Sequence, residues 1–214
     1  MWEQGFLDTK QMAAAFQMLR SNDLVWSRIV HDYLMGHRRP MTDLMAWNAD
    51  ATRRPYRMHT QYLRQLFLAN DLAEGRYQTD GKATALSDIR APIFAVATEL
   101  DHVAPWRSVY KLHLLSDTDV TFLLTSGGHN AGIVSEPGRS DRHYRLATKS
   151  SDAKYVDSDA WTAETPQQDG SWWLAWVAWL DSNSGAPVLR RKTSAFATED
   201  APLCDAPGTY VLQA

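Results

Sequence analysis

The chain opens with apolar residues at helical spacing. Asp8 and Gln11 have the arrangement of a capping box, and Met12, Phe16 and Leu19 fall on one face of the helix it would open. Ser21, Asn22 and Asp23 supply a second N-cap, after which Val25, Trp26, Ile29, Val30, Tyr33 and Leu34 keep the three-four spacing until Gly36 stops it. His37 to Pro40 and Arg54-Pro55 punctuate loops, and the second leads into a third helix with the apolar stripe Tyr62, Leu63, Leu66 and Phe67. The first 80 residues therefore read as helices, with no internal repeat or low-complexity segment.

The pattern changes near Leu86. Ile93-Phe94-Ala95-Val96-Ala97 is a short continuous apolar run of the kind found in a strand buried on both faces. A helix is predicted from near Pro105, a residue tolerated in a first turn, through Val109 and Leu112 to Leu115. A second apolar run, Val120-Thr121-Phe122-Leu123-Leu124, follows at once. Strand, helix, strand at this spacing is one right-handed βαβ crossover joining parallel neighbours. From Ser135 to Gly170 the chain is polar and reads mostly as loop with one short helix. Trp172, Trp173, Trp176, Trp179 and Leu180 then form a terminal helix with an aromatic face, and an irregular tail follows. The class is α/β, divided into a helical region (1–85), an α/β core portion (86–181) and the tail (182–214).

Charge and composition narrow the partners. With 22 Lys+Arg against 25 Asp+Glu and no basic run, the chain has no electrostatic footprint for nucleic acid. No apolar stretch approaches the ~20 residues of a membrane span. The single cysteine, Cys204, has no internal disulfide partner, and the N-terminus lacks the layout of a secretory signal, so a cytoplasmic address is expected. Nine Trp and eight Tyr are read as core packing ahead of an apolar ligand site. Seven His offer no paired-ligand spacing, and no Gly-rich phosphate loop joins a strand to a helix, so neither a metal nor a nucleotide cofactor is expected.

The informative pair is Asp101 and His129. Each lies just past the carboxyl end of a predicted strand, and parallel neighbours place those ends on the same sheet edge, where open α/β sheets bind ligands. The order Asp then His is that of the last two members of a hydrolase-type triad. There the carboxylate holds the imidazole in one tautomer while the imidazole takes a nucleophile's proton. Gly127 and Gly128 allow a tight loop before His129. No G-x-[S/C]-x-G elbow lies between Met1 and Asp101, Cys204 is downstream of both partners, and Ser126 sits on the wrong side of its strand. Two strands are also too few, because a lone parallel pair would expose both edges. The chain reads as the C-terminal part of something larger.

Several segments carry a family resemblance. G-F-L-D-T-K-Q-M-A (Gly5 to Ala13), L-R-S-N-D-L-V-W-S (Leu19 to Ser27), M-T-D-L-M-A-W-N-A-D-A-T-R (Met41 to Arg53) and L-S-D-I-R-A-P-I-F (Leu86 to Phe94) resemble the C-terminal half of the class I poly(3-hydroxyalkanoate) synthases. T-E-L-D-H-V-A-P-W-R-S (Thr98 to Ser108), S-G-G-H-N-A-G-I-V (Ser126 to Val134), D-G-S-W-W (Asp169 to Trp173) and the ending A-P-G-T-Y-V extend the likeness over essentially the whole chain.

The resemblance implies an α/β-hydrolase fold with a helical cap. It also implies an acyltransferase that polymerises (R)-3-hydroxyacyl-CoA into polyester and releases coenzyme A, which is substrate and not cofactor. The family's catalytic Asp falls on Asp101 and its catalytic His on His129, so that His129 activates the thiol and the incoming hydroxyl while Asp101 either supports it or acts on that hydroxyl; the family's Cys, on a G-x-C-x-G elbow, has no counterpart here. His102 is expected to pack in the loop in preference to touching substrate. The same resemblance implies a homodimer in the complete enzyme and association with the polyester granule surface. The alternative is an inactive fragment that binds a full synthase or the granule.

Overall fold

The computed structural model describes residues 2–19, 21–37, 40–43, 45–46 and 53–189. Cys204, the A-P-G-T-Y-V ending and most of the expected tail lie outside the described residues.

The predicted helices form. Helix α1 spans Thr9–Leu19, and the Asp8 N–H donates to Gln11 Oε1 at 3.3 Å, the backward half of the expected capping box. The second helical stretch adopts π-type turns over Asn22–Trp26 and Ile29–Leu34, and Gly36 at φ +70° ends it as predicted. Arg54-Pro55, expected as loop, is instead a two-residue strand. Strand β1 (Phe6–Leu7) pairs antiparallel with β2 (Arg54–Pro55), and α2 (Tyr56–Gln61) runs directly into π-type turns over Tyr62–Leu68. The apolar stripe is present but open to solvent, with Phe67 74% and Leu68 81% exposed.

Not all of the first 85 residues are helix or loop. β3 (Tyr77–Thr79) and β4 (Lys82–Thr84) form a hairpin around Asp80-Gly81. Both turn residues have positive φ, as a two-residue hairpin turn of this kind requires.

The core is a mixed sheet. β5 (Ile93–Thr98) and β6 (Val120–Thr125) are parallel in the register Ile93↔Val120 to Thr98↔Thr125, joined through α3 (Trp106–Tyr110) and α4 (Leu112–Leu115) as a βαβ crossover. Lys111 divides the single expected helix into two. After α5 (His129–Ile133), the stretch expected to be mostly loop supplies β7 (His143–Lys149), α6 (Ser158–Glu164) and β8 (Gln167–Asp169). β7 is antiparallel to β6, and β8 to β7, giving the order β5-β6-β7-β8.

The correction has a simple cause. Along β7, Tyr144 and Leu146 join the core cluster around Leu123 while Ala147 packs against the opposite one, a short apolar content obscured by the polar average of the segment. Tyr144 is buried while Arg145 reaches the Thr165 carbonyl. One edge of the parallel pair is thereby covered, whereas among the described residues nothing pairs with the outer edge of β5.

Alternation also divides the core into two layers. Phe122, Leu124, Ala95 and Ala97 face Trp106, Tyr110 and Trp161, from α3 and α6. Leu123 faces the other way, toward Tyr144 and Trp172, with Phe94, Val96 and Trp173 packed alongside at the start of α7 (Trp173–Ser182). Every residue of β6 is buried, and full burial of its Phe or Leu side chains contributes about 1.5–3 kcal/mol each. Phe122 meets Tyr110 and Trp161 edge-on at 5.0 and 5.2 Å between ring centroids, so much of the aromatic load is core packing.

α6 is held to this core through Trp161 and started by Asp157, whose Oδ1 accepts from the Asp159 and Ala160 N–H groups at 3.0 Å. Asp157→Ala is expected to cost about 1 kcal/mol in urea unfolding. An unchanged midpoint would show that the cap does not hold α6.

Candidate functional site

The carboxyl ends of β5 and β6 remain stitched beyond the strands. The Glu99 N–H donates to the Thr125 carbonyl, and the Leu100 N–H to that of Gly127, both at 2.9 Å. This continuation of the parallel ladder carries the two loops side by side and brings Asp101 against His129.

Asp101 is fixed from both of its oxygens. Oδ1 accepts from the Val103 and Ala104 N–H groups at 2.8 and 2.9 Å, closing the turn that leads to Pro105 and α3. Oδ2 lies 2.8 Å from His129 Nδ1. Burial works against the ionised carboxyl, but the Ala104 N–H, the His129 hydrogen bond, the Val103 N–H and the neighbouring imidazole's charge outweigh it, leaving Asp101 below the usual carboxylate range. A carboxylate at Oδ2 accepts, so Nδ1 carries a proton, and the neutral form of the ring has its lone pair on Nε2. The Asp101 side chain is 10% exposed and that of His129 44%, so a held carboxylate backs an accessible imidazole.

The loop before His129 needs its first glycine. Gly127 has φ +101°, and a Cβ there would stand 2.6 Å from Arg142 Nη1 and 2.9 Å from the Gly132 Cα. Gly128 has φ −101° and nothing closer than 3.8 Å to a Cβ. Gly127→Ala is therefore expected to lower stability by about 1–3 kcal/mol in urea unfolding, with Gly128→Ala close to wild type. Equal effects at the two positions would contradict this account.

Gly132 is a further requirement that the sequence reading did not identify. A Cβ there would meet Thr98 Cγ2 at 2.6 Å and the Ser126 carbonyl at 3.0 Å, so α5 lies directly on the end of β5 because residue 132 has no side chain. Two side chains hold the far end of α5. Arg142 Nη2 donates to the Ala131 carbonyl and Trp173 Nε1 to the Ile133 carbonyl, each at 3.0 Å. The second Trp of D-G-S-W-W thus grips the helix that begins with His129, and Ser171 of the same motif donates to the Ser135 carbonyl.

A second acid–imidazole pair was also missed. Glu99, two residues before Asp101, has its carboxylate oxygens 3.3 and 3.2 Å from His143 Nε2 at the start of β7. It was unreadable without β7. Ser126 is buried, and its hydroxyl accepts from the His143 N–H at 3.2 Å. His102 is exposed. Among the described residues, no helix is long and apolar enough to cross a membrane.

No family model matches the chain. Curated proteins do. It is 37% identical over 209 residues to the poly(3-hydroxyalkanoate) polymerase subunit PhaC of Rhizobium etli, covering 98% of this chain and 32% of that protein. It is 37% identical to the poly(3-hydroxyalkanoate) polymerase of Methylorubrum extorquens, covering 99% and 34%. With the corresponding PhaC of Cupriavidus necator it shares 34% over 177 residues, covering 82% and 29%. The chain spans about a third of the length of the curated relatives it matches. At this identity over nearly all of its length, the chain belongs to the poly(3-hydroxyalkanoate) polymerase family, matching about a third of each relative.

Proposed function

We propose that this segment supplies the Asp and His of a Cys-Asp-His triad in a poly(3-hydroxyalkanoate) polymerase, on the carboxyl edge of an α/β-hydrolase-type sheet beneath a helical cap. The observation that carries the reading is the 2.8 Å bond from His129 Nδ1 to Asp101 Oδ2, which leaves Nε2 of an accessible ring as the proton acceptor.

In this reading Nε2 takes the proton of a cysteine thiol from a segment outside this sequence. The thiolate attacks the thioester of (R)-3-hydroxyacyl-CoA. The bond to CoA sulfur breaks, the imidazolium returns its proton to the departing CoA thiolate, and the acyl group rests on the cysteine. The same nitrogen then takes the proton from the hydroxyl that attacks this acyl thioester; the polyester C–O bond forms, the bond to the cysteine sulfur breaks, and the imidazolium returns its proton to that thiolate. Asp101 supports the ring and is not the base for that hydroxyl. Both of its oxygens are engaged and its carboxyl is held below the ordinary range, which makes it a poor proton acceptor. The reading needs no metal or cofactor, and it includes a cytoplasmic, granule-associated homodimer.

A second reading is a non-catalytic module that docks on a full polymerase or on the granule. Its support is the exposed apolar side chains of the helical region, including Tyr33, Leu34, Phe67 and Leu68.

A chimera separates the two. This chain replaces the matching third of the Rhizobium etli protein, and CoA release from (R)-3-hydroxybutyryl-CoA is measured. Turnover within about tenfold of the parent supports the catalytic reading, since the chemistry then runs through Asp101 and His129. A folded chimera that binds the parent polymerase but releases no CoA supports the module.

A further inference from the structure

We infer that Arg142, immediately before β7, is a positioning residue for His129, gripping from the antiparallel strand the loop and short helix that carry the imidazole. The inference rests on the reading of His129 as the proton acceptor, and it concerns what sets that ring's place.

Three observations converge on the guanidinium. Nη2 donates to the Ala131 carbonyl, one of the last of α5, where a cation also meets the negative end of the helix. Nη1 occupies the space that a Cβ on Gly127 would need, 2.6 Å away, so the guanidinium lies against the loop that precedes His129. Nε is buried without a hydrogen-bond partner among the described residues, so the terminal nitrogens are the atoms that reach either side of His129, with the charge of Asp141 acting on the same group. The backbone is anchored as well, since the Arg142 carbonyl accepts from the Gly170 N–H at 2.7 Å, tying it to the turn that ends β8.

The neighbouring residue reinforces the arrangement. His143 bonds Glu99 on the loop that carries Asp101, so the first residue of β7 and the one before it reach both loops. β7 is antiparallel, and its beginning, not its end, lies at the site edge. A planar fork contacts both sides of the His129 turn at once, where a single ammonium contacts one.

The test reads the His129 ring in the full chain by nitrogen-15 NMR at alkaline pH, where the neutral tautomers are resolved. Wild type shows the Nδ1–H tautomer in excess, and Asp101→Asn, as a control, removes that excess. Arg142→Met is expected to cut the Nδ1–H share at least about twofold. In the chimera it lowers kcat about tenfold while KM stays within about twofold, as for a misplaced base. Arg142→Lys falls between wild type and Met in both readouts. A folded Arg142→Met protein with the wild-type His129 spectrum and kcat overturns the inference.

Should Arg142→Met not fold, Arg142→Lys decides. A reduced Nδ1–H share supports the fork, and a spectrum superimposable on wild type overturns it. The spectrum does not depend on turnover, so the two readings fail separately. A tautomer shift in Arg142→Met together with full CoA release in a His129→Ala chimera would sink the catalytic reading and leave the positioning role standing.

Discussion

Replacing His129 by alanine in the chimera is expected to lower CoA release by about 10²–10⁴-fold, with the protein still folded. His129 is the first residue of a short helix held by Gly132, Arg142 and Trp173, so its exposed ring can be removed without disturbing the packing beneath it. What disappears is Nε2, the one basic atom that the Asp101 contact leaves free to take a thiol proton.

Asp101→Asn tests the same chemistry through the tautomer. An amide N–H facing Nδ1 makes that nitrogen an acceptor and moves the ring proton to Nε2, so turnover is expected to fall in the same range without loss of the imidazole. CoA release at the parental rate in either variant would remove the pair from the mechanism. The Asp101 carboxyl, ordinarily near 3.8, is lowered, so its contribution to stability is complete above that pH and lost as pH falls through the lower folded value. Any loss of activity near neutrality must come from another group.

A second large effect is expected from His113, which has no place in the chemistry. Its ring lies in the aromatic core 4.5 Å from that of Tyr110, and neither ring nitrogen has a hydrogen-bond partner among the described residues. Burial, and then the charge of Lys149, push it down from 6.5 to about 4. The unfolded chain therefore binds a proton between those values while the folded chain does not, and stability falls as pH drops from 6.5 toward 4.

The shift corresponds to a loss of about 3 kcal/mol over that window. His113→Leu is expected to flatten the dependence. At neutral pH it should be at least as stable as wild type, because a buried imidazole without partners costs about 1–3 kcal/mol. Urea unfolding at stepped pH reads both, and parallel curves for the two proteins would refute the assignment.

The parts of this fold that were legible in the sequence are those whose pattern is dense and local. β5 and β6 are continuous apolar runs, α7 is a Trp-rich stripe, and the helices through Leu68 keep the three-four spacing. The hairpin at Asp80-Gly81 was missed although its D-G turn is a strong signal, because only three residues flank it on each side. β7 was missed because His143, Arg145, Thr148 and Lys149 raise the polarity of a strand that holds only three apolar residues, Tyr144, Leu146 and Ala147.

Asp101 and His129 could be found because a parallel pair carries both strand ends to one edge, a consequence of topology that one crossover already implies. Their hydrogen bond is a different matter. It depends on Gly132 lying against Thr98, on Arg142 beside Gly127 and on Trp173 reaching the Ile133 carbonyl.

By itself, then, the sequence determined the βαβ unit, the edge on which the acid and the imidazole stand, and the family to which the segment belongs. Only the tertiary structure decided which ring nitrogen faces the carboxylate, that both Asp101 oxygens are engaged, and that β7 covers one sheet edge while its first residue and Arg142 before it reach both loops. The reason is physical. Local periodicity reports burial along one element, whereas these features are set by close contacts between residues far apart in the chain, made by single side chains or by the lack of one.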